Sequence, residues 1–311
     1  MNTLKFGWRL PAFLLIASVA VALLRFDSPR PAAAASFTVT KTADTNDGTC
    51  DADCSLREAI GAANASAGST VTVPAGTYTL TRAGGGEDAN ATGDLDITAN
   101  TTITGAASAT TIIDAGAIDN VIDVHGVDLT ISGVTLQGGV AGPGWDGDGI
   151  AGTTGTIDLT NVVSRNNAGS GVATAGADVT ASSVDLSGNG DAGVVTSGGN
   201  IDITDSTINN NSSDAIVTLN GNVTLDGVAL DSNGEGIVTD SGTIDLTGVT
   251  LDSNSDDAIV TSTGDVSMAG TTISRNVGIG VDTSDGDVTA VNSTISSNLD
   301  TGSARAAGRW T

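Results

Sequence analysis

The sequence predicts an all-β fold, a single-stranded parallel β-helix with three faces per coil of about 22 residues, led by a short capping helix. Three observations carry that prediction: a repeat from residue 155 onward, apolar columns that stay in register through it, and an asparagine in every unit.

The repeat runs GTIDLTNVVSRNNAGSGVATA, GADVTASSVDLSGNGDAGVVTSG, GNIDITDSTINNNSSDAIVTLN, and on through three further units of 21 to 22 residues. Each unit holds three short β-like runs, punctuated by Gly, Ser, Asn and Asp. One apolar column aligns Val163, Leu186, Ile208, Leu230, Leu251, Ile273 and Ile295. A second aligns Val172, Val194, Ile216, Ile237, Ile259 and Val281, and a third Ile157, Val179, Ile201, Val223, Ile244, Val266 and Val288. A single unit cannot bury these edges; stacked units bury all three together. The asparagines Asn166, Asn189, Asn211, Asn233, Asn254, Asn276 and Asn298 suit a stacked amide ladder, since Asn also tolerates a left-handed backbone. Thr174, Thr196, Thr218, Thr239, Thr261 and Thr283 form a further row. Leucine-rich repeats and calcium-binding nonapeptide rolls need signatures this chain lacks.

The first segment reads as an export signal. Lys5 and Arg9 precede the apolar run Leu10 to Leu24, followed by Ala33 and Ala35 in an A-x-A arrangement. The run is shorter than the roughly 20 residues that span a bilayer, which predicts cleavage near Ala35/Ser36 rather than an anchor. Cutting there removes four basic residues and one acid, so the mature chain is more acidic still than the −25 of the whole sequence. Such a charge excludes nucleic acid and anionic membrane surfaces as partners held by bulk charge.

The capping helix is expected at SLREAIGAANA. Ser55 and Glu58 stand as a capping box, and Leu56, Ala59, Ile60 and Ala63 fall on one helical stripe suited to lie across the first coil. VTVPAGTYTL, residues 71 to 80, reads as that coil. Cys50 and Cys54 staple the approach: two nearby cysteines in an exported chain form a disulfide by default, and with one histidine in the sequence a closed zinc site is a poor competitor.

FTVTKTADTNDGTCDADCSLREAIGAANA, residues 37 to 65, closely resembles the CSLREA domain found at the start of exported bacterial β-helix proteins. The segments GDLDITANTTITGAASATTIIDAG and VDLTISGVTLQGG resemble the coils that follow it there. The resemblance is specific over roughly residues 37 to 139. It implies export and a right-handed, pectin-lyase-like parallel β-helix, with no established activity and no catalytic residue to carry over. The organisation expected is a signal peptide over 1–35, a CSLREA-type cap over 36–70, the β-helix over 71–298 and an irregular tail over 299–311.

Candidate chemistry lies in the acids. Asp256 and Asp257 are reminiscent of the paired-aspartate strand of polygalacturonases, with Glu235 one coil earlier. The histidine-glycine element and basic substrate motif of those enzymes are missing. Lyase chemistry needs a base, and the coils offer only Arg165 and Arg275, while His125 reads as a strand residue facing solvent. Trp145, in the loop GGVAGPGWDGDG, suits either stacking on a sugar ring or covering a coil junction. Asp214, Glu235 and Asp257, with Asp256 beside them, would stack as a carboxylate column, and crowded like charges recruit a hard cation such as calcium, the one cofactor expected. The reading is a secreted or cell-surface protein of structural or adhesive role, without a catalytic set, whose partners are extracellular glycans or matrix components. A polysaccharide-active enzyme or carbohydrate-binding module is the alternative.

Overall fold

A computed structural model describes residues 34–300 together with the strand Arg305–Ala306. The expected signal segment therefore lies, for residues 1–33, outside the described residues.

Every strand pairing is parallel, and successive strands of each face come from successive coils. The first sheet has eleven strands, from Ser36–Thr38 to Val288–Val291; the second has ten, from Leu95–Ile97 to Arg305–Ala306. The third face is a four-stranded ladder ending at Val163–Arg165, single bridges through Asp185, Thr207 and Ala229, then three strands from Thr250–Asp252. The predicted parallel β-helix is thus present, with its core inside the coils. Ile157, Ile201, Ile216 and Ile259 are each at most 1% exposed.

The second and third predicted columns pair as aligned: Ile157 with Val179 and onward to Val288, and Val172 with Val194 and onward to Ile259. The first column is off by one at its start. Val163 pairs with Asp185 on the outward side, and buried Ser164 fills the inward place level with Leu186. Ser164 is tolerated there because its hydroxyl donates to the Gly171 carbonyl at 3.0 Å and accepts from Asn167 Nδ2 at 3.1 Å.

The amide ladder shifts with it. Its first member is Asn167, not Asn166, and Nδ2 of Asn167 donates to Oδ1 of Asn189 at 3.2 Å. At Asn189, Asn211, Asn233, Asn254 and Asn276, the backbone N–H and one side-chain N–H donate to the next Asn Oδ1; the other reaches a carbonyl of the coil behind. Left-handed backbone belongs to the residue before each rung instead: Asn166, Asn210, Ser232, Ser253 and Arg275 have φ from 53° to 60°. The threonine row stands as predicted, and Thr196, Thr218, Thr239, Thr261 and Thr283 each cap a turn by accepting from the N–H three residues on.

The early coils are longer. Val71 pairs with Ile103, Ile103 with Ile131 and Ile131 with Leu159, against steps of 21 or 22 residues further along. Much of the excess forms two loops, residues 81–94 and 138–149.

The cap forms with its box: helix α1, Leu56–Asn64, has Ser55 Oγ accepting from Glu58 N, and Glu58 accepting from Ser55 N at 2.7 Å. The predicted stripe Leu56, Ala59, Ile60 and Ala63 is buried. The cap also supplies a strand, Ser36–Thr38, which joins the first sheet beside Ser69–Val73. The tail expected to be irregular adds a strand too: Arg305–Ala306 pairs with Asp282–Thr283.

Candidate functional site

Helix α1 buries two charges besides its apolar stripe, Arg57 and Glu58. Arg57 Nε donates to Asp44 Oδ1 at 2.8 Å, and its other nitrogens donate to the carbonyls of Gly93 and Asp94 at 2.8 and 2.6 Å. Asp44 in turn accepts from the N–H groups of Thr81 and Arg82. The pair therefore holds both ends of the 81–94 loop against the cap. Burial pushes Glu58 up, but donors from Ser55, Asp47 and Thr45 outweigh it and hold the carboxyl below its usual range. Cys50 and Cys54 form the predicted disulfide.

So held, the loop lies over the outward side of the second sheet and gathers acids there. Asp96, at the middle of the strand Leu95–Ile97, is 0% exposed. Its Oδ2 accepts from Asn90 N at 2.6 Å, and its Oδ1 lies 2.9 Å from His125 Nε2. Asp123, one coil on from Asp96, reaches within 3.9 Å of the same nitrogen. Asp94 and Asp119 are buried alongside, at 4% and 1% exposure. Burial, with Asp119, Asp96 and Asp123 adding their charge, pushes Asp94 up to about 8. Burial likewise raises Asp96 to about 6, against the hydrogen bonds from His125 and Asn90. Burial alone would lower His125, but its bond to Asp96 and the charges of Asp123 and Asp88 raise it. His125 is therefore not the solvent-facing strand residue expected from alternation. It sits one residue past its strand, tied to a buried carboxylate.

The second loop closes over the first. Trp145 lies across Gly85 and Gly86, so close that a Cβ at Gly85 would collide with the ring. The glycine is required there by that approach. Of the two roles expected for Trp145, covering a junction is the one its position matches.

The predicted carboxylate column is assembled in the later coils. Asp214 Oδ1 accepts from Glu235 N at 2.8 Å, and Asp257 Oδ1 accepts from Ile279 N. Burial, together with Asp214, Asp256 and Asp257, pushes Glu235 up to about 7. Burial also raises Asp257. Asp256 is exposed. These acids share one surface but, among the described residues, three ligating atoms converge within 4.8 Å of one another elsewhere, at Asp88, Asp96 and His125. Sequence reasoning missed that trio because Asp88 and Asp96 carry no spacing signal; only the pairing of Asp96 with Asp123, two residues before His125, would have shown it.

The family model for the right-handed β-helix region matches residues 89–251 and 149–308. The chain belongs to that family, and its coils are right-handed. Among solved structures it is similar to the catalytic domain of an α-1,3-glucanase in complex with nigerose, at 13% identity and TM-score 0.45, covering 91% of this chain and 68% of that one. It is also similar to pectate lyase Pel9A, at 13% identity and TM-score 0.44, over 90% and 78% of the two chains. A third likeness is to the A-module of the Azotobacter vinelandii mannuronan C-5 epimerase AlgE4, at 18% identity and TM-score 0.39, over 82% and 76%. No curated protein matches the chain. No described helix is long and apolar enough to cross a membrane.

Proposed function

We propose that the chain is an exported β-helix that acts at the cell surface through contact with glycans or matrix rather than through catalysis. One observation carries this reading: the acids with the greatest burial, Asp96 and Asp119, are 0% and 1% exposed under the 81–94 loop, itself covered by Trp145, out of reach of a polymer. What remains open to solvent is long ladder surface, such as Thr180, Asp202, Thr224 and Asp245 in register on the first sheet. Residues 37–65 act in this proposal as a CSLREA-type cap that closes the first coil, and export removes the chain up to Ala35. In the same proposal the chain comprises a signal peptide over 1–35, the cap over 36–70, the β-helix over 71–298 and a tail over 299–311. An array of extracellular glycans and matrix proteins tests the reading. Retention of the chain, unchanged by Glu235→Gln, is the expected result; retention on nothing would overturn it.

A second reading rests on Glu235. A carboxyl raised to about 7, with the carboxyl groups of Asp214 and Asp257 stacked beside it, has the protonation that a general acid needs for glycoside hydrolysis.

A further inference from the structure

We infer that Asp88, Asp96 and His125 form a divalent-cation site, with Asp123 as a fourth ligand, that clamps the 81–94 loop onto the first two strands of the second sheet. The proposal is independent of the functional reading above. Three features carry it. First, the ligand types are right for one borderline cation: one imidazole nitrogen and carboxylate oxygens suit zinc or manganese. Second, the spacing is right. The ligating atoms of the trio lie within 4.8 Å of one another, His125 Nε2 is 2.9 Å from Asp96 Oδ1, and Asp123 Oδ2 is 3.9 Å away. Two ligands at about 2.1 Å from a metal are about 2.9 to 3.4 Å apart for right-angled to tetrahedral geometry, so a small opening of the His125–Asp96 contact admits the ion.

Third, a buried polar atom next to this group has no partner. Asn90 is 2% exposed; its backbone N–H donates to Asp96 Oδ2 at 2.6 Å, while its side-chain Oδ1 accepts no hydrogen bond. A buried acceptor left without a donor is costly, and a cation beside it offsets that cost. The three elements joined are distinct. Asp88 comes from the loop, Asp96 from its landing strand and His125 from the coil after. The ion would thus fix the same loop from its outer side that Arg57 and Asp44 fix from the cap. Asp88 is exposed, which leaves an entry path and one position for water.

The test uses the full chain stripped with chelator, titrated calorimetrically with zinc, with trypsin cleavage after Arg82 as a reporter of the loop. One equivalent of zinc is expected to bind and to slow that cleavage at least tenfold. Asp88→Asn, a change at an exposed position, and His125→Gln should each weaken binding at least tenfold and lose the protection, while Asp256→Asn/Asp257→Asn keeps both. Absence of stoichiometric uptake by the wild-type chain would overturn the site. So would uptake that Asp88→Asn and His125→Gln both retain, or uptake abolished by the Asp256/Asp257 pair instead.

Discussion

The guanidinium of Arg57 and the carboxylate of Asp44 form an ion pair, Nε to Oδ1 2.8 Å, with side chains 0% and 3% exposed. A pair this dry is a weak source of net stability, but removing one partner strands the other without water. Arg57→Ala is therefore expected to cost about 3–5 kcal/mol. Arg57→Lys should recover little of it, because a point charge cannot reach Asp44 and the carbonyls of Gly93 and Asp94 together. Chemical denaturation of the two variants checks both statements.

The amide ladder predicts unequal sensitivity along the stack. Asn233 accepts from Asn211 and donates to Asn254 and the Ile208 carbonyl, all buried. Asn298 accepts from Asn276, and its own Nδ2 has no partner. Asn233→Ala should cost on the order of 2–3 kcal/mol, since it leaves buried groups unsatisfied, and Asn298→Ala clearly less. Melting of the two variants measures the difference; Asn166→Ala, outside the ladder, should fall below Asn167→Ala.

Stability should also fall as pH rises across the neutral range. The folded state holds a proton on Glu235 up to about 7, while its ordinary value is 4.5. Between those values the native chain binds the proton and the unfolded chain has lost it, so this contribution is present at low pH, declines toward 7 and is gone above. Burial, reinforced by the facing acids Asp214, Asp256 and Asp257, sets the sign. The melting temperature measured without divalent ions should therefore be higher at pH 5 than at pH 8. Glu235→Gln should reduce the drop, by about 2–4 °C for each ~1 kcal/mol removed.

The export reading predicts a defined terminus. Expressed in a bacterium, the chain should leave the cytoplasm and begin near Ser36, as read by mass spectrometry; a retained Met1 in the exported fraction would count against it.

Where each residue had a counterpart one coil away, the sequence was legible. Columns such as Val172 to Val281 needed only a constant step and a buried identity, and stacking enforces both. The same logic erred at Val163, where hydrophobic identity was followed instead of the distance from Ile157; Ser164 keeps the step and meets its polar needs inside. The capping box and disulfide were legible because their partners are within five residues in sequence. The Asp96–His125 contact joins residues 29 apart across a longer coil, before the regular repeat begins. No period exposes it. The burial of Arg57 was equally hidden, because its partners Asp44, Gly93 and Asp94 come from segments without periodicity.

If, as proposed, the acids of this β-helix hold a contact scaffold together, they do not cut glycan. The test is the release of reducing ends from a panel of extracellular polysaccharides by the wild-type chain and by Glu235→Gln/Asp257→Asn. Release at the level of the substrate blank is expected for both proteins. Release by the wild-type chain that the double variant abolishes would contradict it and establish the carboxylate column as a catalytic site.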